Sequence, residues 1–421
     1  MAALIPRGTI RVPGDKSISH RTLMLGALAE GTGEIRGILQ SADVHSTAHV
    51  LRTLGVQLEP LGEVTHIIGR GLRGLLPPTA SLQCGNSGTT TRLMSGIVAG
   101  HPFSARFEGD ASLSRRPMQR IAKPLTQMGA TFTFDNTDGL PMTIHGRDLQ
   151  PMHWDSPTSS AQIKSAILFA GLVAQIPVSV TEPERSRDHT ERMLSALGAE
   201  VMVDGTTVSL PVIHRLSPMD VTVPGDPSSA AFFAALAVLS PDAQLRLTNV
   251  CLNPTRIGFF NVLQRMGARI HYEDQAQCAG EPIGTIIPSG GTLHGVQIGG
   301  EEIPTLVDEL PMLACLATRA EGETVIHDAA ELRVKESDRI VTVVQNLLTL
   351  GASAEELPDG MRITGTDTPL RGRVITHGDH RIAMAFAILG AFPGNKIEID
   401  DPDCVTVSYP NFWNDLARVT V

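Results

Sequence analysis

Two kinds of apolar segment alternate along this chain. One kind is apolar on every side, as in AAFFAALAVL over 230–239, and predicts helices buried all round. The other carries charge on one face, as over 190–198 and 257–267, and predicts amphipathic helices lining a core. A Leu/Met-Gly-Ala/Val tripeptide closes segments of the second kind at Leu54-Gly55-Val56, Met128-Gly129-Ala130, Leu197-Gly198-Ala199, Met266-Gly267-Ala268 and Leu350-Gly351-Ala352. Strand-like alternation follows, as in ATFTF (130–134) and AEVMV (199–203), so each glycine reads as a helix end that turns into a strand. A small polar turn opens each helix of the first kind, at Lys16, Ser87, Ser159, Ser228, Leu306 and His380, with spacings of 71, 72, 69, 78 and 74 residues. The pattern is one helix-and-strand unit written six times, and the class it predicts is α/β.

Six equal units do not by themselves mark domains. Val-Pro-Gly-Asp, however, occurs at 12–15 and again at 223–226, with three units between the copies and three after. Two readings stay open: a pair of similar turns, or two chain crossings between two three-unit domains. The second reading divides the chain into 13–224 and 1–12 plus 225–421, with the ligand in an interdomain cleft.

Composition narrows the function. The chain has 421 residues, 42% hydrophobic and 19% charged, which suits a folded protein of two or three domains. Its longest nearly unbroken apolar run, Ile382–Phe392, has 11 residues and is too short to span a membrane. The N-terminal sequence has no basic stretch followed by a long apolar one, so no secretory leader is expected. Lys and Arg total 34 against 44 Asp and Glu, and aromatics are 4%, which argues against a nucleic-acid partner. Five scattered cysteines without ligand spacing argue against a disulfide framework or a zinc site and fit a reducing cytoplasm.

Charge placement carries the chemistry. A helix N-terminus disfavours nearby cations, yet Lys16, Arg21, Arg92, Lys164 and Arg381 all lie in opening turns of the repeated helices. The fifth helix opens on acids instead, Asp308 and Glu309. Either the bases face solvent or bound anions resolve the conflict; their repetition at equivalent places favours anions. Gly14, Gly85, Gly88 and Gly225 beside these starts would let a ligand approach the backbone. Charge is also dense in SLSRRPMQR (112–120), RSRDH (185–189) and ELRVKESDR (331–339). In a helix, Lys335, Glu336 and Arg339 would share a face, either as a salt-bridge ladder or as an acid held among anion-binding cations. The chain has no GxGxxG after a strand, no GxxxxGK[ST], no HExxH and no GxSxG, so the chemistry expected is proton transfer and charge stabilisation without cofactor or metal.

Four ordered blocks resemble one family. Pro13-Gly14-Asp15-Lys16-Ser17-Ile18-Ser19-His20-Arg21, Gly85-Asn86-Ser87-Gly88-Thr89-Thr90-Thr91-Arg92, Arg333-Val334-Lys335-Glu336-Ser337-Asp338-Arg339 and Asp379-His380-Arg381 are similar to the motifs of 5-enolpyruvylshikimate-3-phosphate synthases. The resemblance implies two similar globular domains, each an inside-out α/β barrel of three βαβαββ units. It implies a monomer without cofactor that acts on two small anions, shikimate 3-phosphate and phosphoenolpyruvate. The 5-hydroxyl of the first attacks C2 of the second, phosphate leaves, and an enolpyruvyl ether remains.

By the same resemblance, shikimate 3-phosphate would meet Lys16, Ser17, Arg21, Ser159, Ser160, Gln162, Arg187, Asp308 and Lys335. Phosphoenolpyruvate would meet Lys16, Gly88, Arg116, Gln162, Arg339 and Arg381, with Asn86, Arg92 and His380 in support. Asp308 is expected as the base for the 5-hydroxyl, Glu336 as the proton donor to C3, and Lys16 as a helper to either. Three positions depart from the pattern: Val407 replaces a lysine, Glu331 an asparagine and Ala161 a serine found in some members. The Ser160–Ala166 and Arg187–Glu191 runs look like the branch holding herbicide-tolerant members, whereas Gly88 is typical of glyphosate-sensitive ones; Gly88 is given the greater weight. The rival uridine-diphosphate-sugar enolpyruvyl transferases carry a cysteine in the loop matching Glu108–Pro117, which has none here. A non-catalytic sugar-phosphate binder would lack Asp308, Lys335 and Glu336, all of which are present.

Overall fold

The computed structural model describes residues 5–420. The chain forms two compact units. One is nearly continuous, Gly14–Val223 with Gln277–Glu281 added; the other is split, combining the N-terminal stretch up to Pro13 with Pro224–Ala276 and the chain from Pro282 onward.

Both units are built from the same module. A strand pairs in parallel with the strand after its helix, and that second strand also pairs with an antiparallel hairpin partner. In the continuous unit the strand Ser104–Glu108 lies between Leu82–Gln83 (parallel) and Met142–His145 (antiparallel), and Thr131–Phe134 forms the edge. The sheet around Val178–Thr181 repeats this order. The five predicted helix-ending glycines all take positive φ, from 86° at Gly55 to 119° at Gly129, as a left-handed C-terminal turn requires. The strand after Gly198 starts later than expected, at Met202–Asp204.

Each unit's first sheet is completed from far along the chain. Val221–Thr222 pairs in parallel with Glu30–Arg36, and Arg7–Ile10 pairs in parallel with Gln244–Cys251, Arg7 opposite Gln244. Gly14 and Gly225 sit where these crossings bring other parts of the chain too close for a side chain. A Cβ on Gly14 would overlap the Gly37 carbonyl oxygen, and one on Gly225 would lie 2.7 Å from Val12 Cγ2. The sixth module differs: Arg371–Val374 and Lys396–Ile399 form a two-stranded sheet, followed by a 3-10 turn and the helix Phe412–Val419. Tyr409 and Phe412 pack there against Phe233, with ring centroids 5.8 and 5.9 Å apart.

The helices predicted to be apolar all round form the cores. Every residue of Pro227–Val238 is buried, as is every residue of Leu310–Ala317. In the continuous unit Gly88–Ala99 lies directly on Ala161–Ala174. A Cβ on Gly96 would overlap the Ala166 carbonyl oxygen, so only glycine permits this approach, which sets Arg92 beside Gln162.

Candidate active site

The predicted site residues fall on both units. On the continuous unit, three buried helices open toward the functional side chains, each capped by its own side-chain acceptor. Asp15 accepts from Ile18 N at 2.8 Å, Ser87 from Thr90 N at 3.1 Å and Ser160 from Ile163 N at 3.4 Å. Lys16, the first residue of helix Lys16–Leu28, ion-pairs with Asp43. Arg21 is buried one turn further on, donating to Thr190 Oγ1 (2.7 Å), Ser165 Oγ (2.9 Å) and the Ser17 carbonyl (3.0 Å). Burial pulls Arg21 down to about 10, against the pull of Glu191 and Asp15, so it remains a cation at neutral pH.

A tight group surrounds Gly88. Arg92 donates to Gln162 Oε1 at 2.7 Å, and Gln162 donates to Thr89 Oγ1 at 3.2 Å. Arg116 donates to Asn86 Oδ1 at 2.7 Å, and Asn86 donates to Asp110 at 2.6 Å. A Cβ on Gly88 would stand 3.3 Å from Arg92 Nη1 and 3.5 Å from Arg116 Nη1. Asn86, Gly88, Arg92, Arg116 and Gln162 therefore make one cluster with two guanidinium groups beside a side-chain-free helix start. Ser160 accepts from Arg120 at 3.1 Å, and Ser159 from Glu184 N at 2.9 Å. Arg187 lies close enough to Arg21 to disfavour its charge.

Helix starts in this unit are cross-linked by a buried hydroxyl chain. His20 Nδ1 and Thr47 Oγ1 are 2.6 Å apart, Thr47 and Thr90 hydroxyls 2.6 Å, and Thr90 and Ser87 hydroxyls 2.7 Å. Burial lowers the His20 imidazole from 6.5 to about 3, against the pull of Asp43, so the native ring stays neutral. Below pH 6.5 the unfolded chain then takes up a proton that the native state refuses. The stability held by neutral His20 is full above pH 6.5 and falls as pH drops toward 3, by about 1.4 kcal/mol per pH unit at most. Urea denaturation of wild type and His20→Gln should show a stability gap that narrows by about 2 kcal/mol between pH 7 and pH 5. A gap independent of pH would rule this out.

On the split unit the centre is Arg339, 1% exposed. Its guanidinium meets Asp379 Oδ2 at 2.8 Å, Glu336 Oε2 at 2.8 Å and Asp308 Oδ1 at 3.3 Å. Burial opposes the Arg339 charge, and Asp379, Glu336 and Asp308 outweigh it, holding Arg339 above its ordinary range. Lys335 Nζ lies 3.9 Å from Asp308 and 3.9 Å from Glu331. Arg381 reaches Glu309 at 3.5 Å, and His380 is buried beside it in helix His380–Gly390. Asp379 also caps that helix through Arg381 N at 3.0 Å.

Two expectations change. Residues 331–339 do not form one helix: a 3-10 turn ends at Val334 and helix Arg339–Thr349 begins after Asp338, whose side chain accepts from Ile340 N and Val341 N. Glu336 and Arg339 still meet, through a cap turn rather than a helical face. Lys164 is not at an anion site: its side chain is 3% exposed and its ammonium is ion-paired at 2.8 Å with both Glu182 and Glu191. The reading of the residues missed Asp43 and the Asp379 side chain's role. Asp379 carried a signal, an aspartate immediately before a predicted helix. Asp43 carried none, since only the fold brings it to Lys16.

The mixed α/β modules with their many small sheets, repeated in two units, match the enolpyruvyl transferase fold. The enolpyruvyl transferase NikO from Streptomyces tendae shares the fold, at TM-score 0.75 and 18% identity over 99% of this chain and 95% of that one. An EPSP synthase from Acinetobacter baumannii superposes at TM-score 0.89 with 41% identity, covering 100% of this chain and 97% of that one. The 3-phosphoshikimate 1-carboxyvinyltransferase of Bacillus cereus (strain 03BB102) is 49% identical over 419 residues, 98% of this chain and 96% of its own length. That of Desulforamulus reducens is 48% identical over 418 residues, 99% of this chain and 97% of its own length. The family model for EPSP synthase (3-phosphoshikimate 1-carboxyvinyltransferase) matches residues 6–416, and the chain belongs to this family. It is an enzyme of the shikimate pathway that transfers the enolpyruvyl group of phosphoenolpyruvate to the 5-hydroxyl of shikimate 3-phosphate. No helix among the described residues is long and apolar enough to cross a membrane.

Proposed function

We propose that side chains of both units act on the same two substrates, in a monomeric cytoplasmic enzyme. Shikimate 3-phosphate is held by Lys16, Ser17, Arg21, Ser159, Ser160, Gln162, Arg187, Asp308 and Lys335. Phosphoenolpyruvate is held by Lys16, Gly88, Arg116, Gln162, Arg339 and Arg381, with Asn86, Arg92 and His380 orienting these groups. Asp308 takes the 5-hydroxyl proton as the oxygen attacks C2, and Glu336 gives a proton to C3, which becomes a methyl group. In the collapse of the tetrahedral intermediate Glu336 takes a proton back from C3, phosphate leaves with the proton that Asp308 held, and the enolpyruvyl ether remains. The cations stabilise charge on phosphate and carboxylate throughout. A bound anion competes with Glu336 for Arg339, so substrate arrival and proton loading of Glu336 are linked.

The observation that carries this reading is the convergence of Asp308 and Glu336 on one buried guanidinium, with Lys335 3.9 Å from Asp308. Two carboxylates serving one reaction centre are what an addition with separate base and acid requires. Phosphate release should be seen with shikimate 3-phosphate plus phosphoenolpyruvate and no added metal or nucleotide. Turnover with UDP-N-acetylglucosamine in place of shikimate 3-phosphate would overturn the assignment.

Gly88 gives a narrower test. An added methyl group would press on Arg92 Nη1 at 3.3 Å, with Arg116 Nη1 in ordinary contact at 3.5 Å, and shift the phosphoenolpyruvate seat by a few tenths of an ångström. Overpacking of about 1 kcal/mol should raise the KM for phosphoenolpyruvate roughly fivefold in Gly88→Ala and leave that for shikimate 3-phosphate unchanged. Equal changes in both would refute the placement. The same open seat makes wild type the glyphosate-sensitive form.

A further inference from the structure

Two runs that carry proposed substrate-binding residues, Ser160–Ala166 and Arg187–Glu191, meet inside the continuous unit. Lys164 pairs there with Glu182 and Glu191 at 2.8 Å each, and their side chains are 3%, 2% and 6% exposed. Burial works against the Lys164 ammonium, and Glu191 and Glu182 outweigh it, holding the group above its ordinary range. Glu182 does more than balance that charge. Its Oε1 accepts from Ser160 N at 2.7 Å; its Oε2 accepts from Ser186 Oγ at 2.8 Å and from Ser186 N at 3.4 Å. One buried carboxylate thus ties the turn that opens helix Ala161–Ala174 to the loop that precedes helix His189–Ala196. A second tie, Glu184 N to Ser159 Oγ at 2.9 Å, joins the same two segments.

We propose that Glu182 is a positioning residue for shikimate 3-phosphate, setting the spacing between the Ser159–Ser160 turn and the Ser186–Arg187 loop without touching the substrate. The inference rests on the assignment of Ser159, Ser160 and Arg187 to that substrate. The site demands a carboxylate because both oxygens face donors: Ser160 N–H on one side, the Lys164 ammonium and Ser186 on the other. A glutamine of the same size must point an NH2 group at one of these donor sets, whichever way its amide turns. One segment then has to move. Lys164 keeps Glu191 as a counterion in the variant.

Steady-state kinetics of the full chain test this. In Glu182→Gln the KM for shikimate 3-phosphate should rise about tenfold or more, with kcat and the KM for phosphoenolpyruvate within about twofold of wild type. An unchanged KM for shikimate 3-phosphate, or an equal rise for both substrates, overturns the proposal. Ser186→Ala removes one of the ties and leaves both Lys164 ion pairs intact; it should raise the same KM about threefold. It decides the matter if Glu182→Gln does not fold, and no change there overturns the proposal. Arg187→Ala separates the two layers of argument. If it raises the KM for shikimate 3-phosphate while Glu182→Gln and Ser186→Ala do not, only the role of Glu182 falls. If it has no effect, the substrate assignment falls and takes this inference with it.

Discussion

Glu336→Gln should bind shikimate 3-phosphate with wild-type affinity and lose about a hundredfold to ten-thousandfold in kcat, the range a positioned proton donor supplies. The substitution keeps the size of the side chain and an acceptor for Arg339, which now meets Glu336 at 2.8 Å. It removes the exchangeable carboxyl proton. Arg339 remains held by Asp379 at 2.8 Å and Asp308 at 3.3 Å, so the surrounding geometry has two further anchors. Calorimetric titration with shikimate 3-phosphate, run beside phosphate-release kinetics, checks both halves. A kcat within a few-fold of wild type removes Glu336 from the acid role, and lost binding would assign it to ground-state recognition.

Arg339→Leu should be the most destabilising single change at the site. Three carboxylates converge on a guanidinium that is 1% exposed, and deleting it leaves buried Asp379 with its principal counter-charge gone. Removing one partner of a buried ion pair costs about 3–5 kcal/mol, far more than an exposed pair would. The unfolding free energy measured by urea denaturation should fall by an amount in that range and turnover should vanish. Arg339→Lys restores the charge but cannot span Asp379, Glu336 and Asp308 with one ammonium. It should recover much of the stability while kcat stays depressed. A wild-type midpoint for the leucine variant would show that the cluster contributes nothing net to folding.

The sequence disclosed the architecture through its period. Six helix openings and five Leu/Met-Gly-Ala/Val endings mark the modules, and the missing sixth ending matches the sixth module's lack of an antiparallel hairpin among the described residues. Side chains next to a helix start were legible because the start itself is: Lys16, Gly88 and Arg381 are located by capping residues and apolar runs. Pairings between distant segments were not. Lys16 with Asp43, Arg92 with Gln162 and Arg339 with Asp379 join residues 27, 70 and 40 positions apart, and no local pattern encodes which partner a cation will meet. Lys164 shows the same limit from the other side. Its place in an opening turn matched the anion pattern, and two carboxylates brought in by later segments claimed it.

The parallel pairing of Arg7–Ile10 with Gln244–Cys251 also orders events during synthesis. As the polypeptide leaves the ribosome, Glu30–Arg36 can gain its Val221–Thr222 neighbour as soon as the continuous stretch has emerged. The first strand made must wait until residue 244, its partner opposite Arg7, has been added. Translation therefore favours maturation of the continuous half before the split one, whose opening strand spends that interval without its partner.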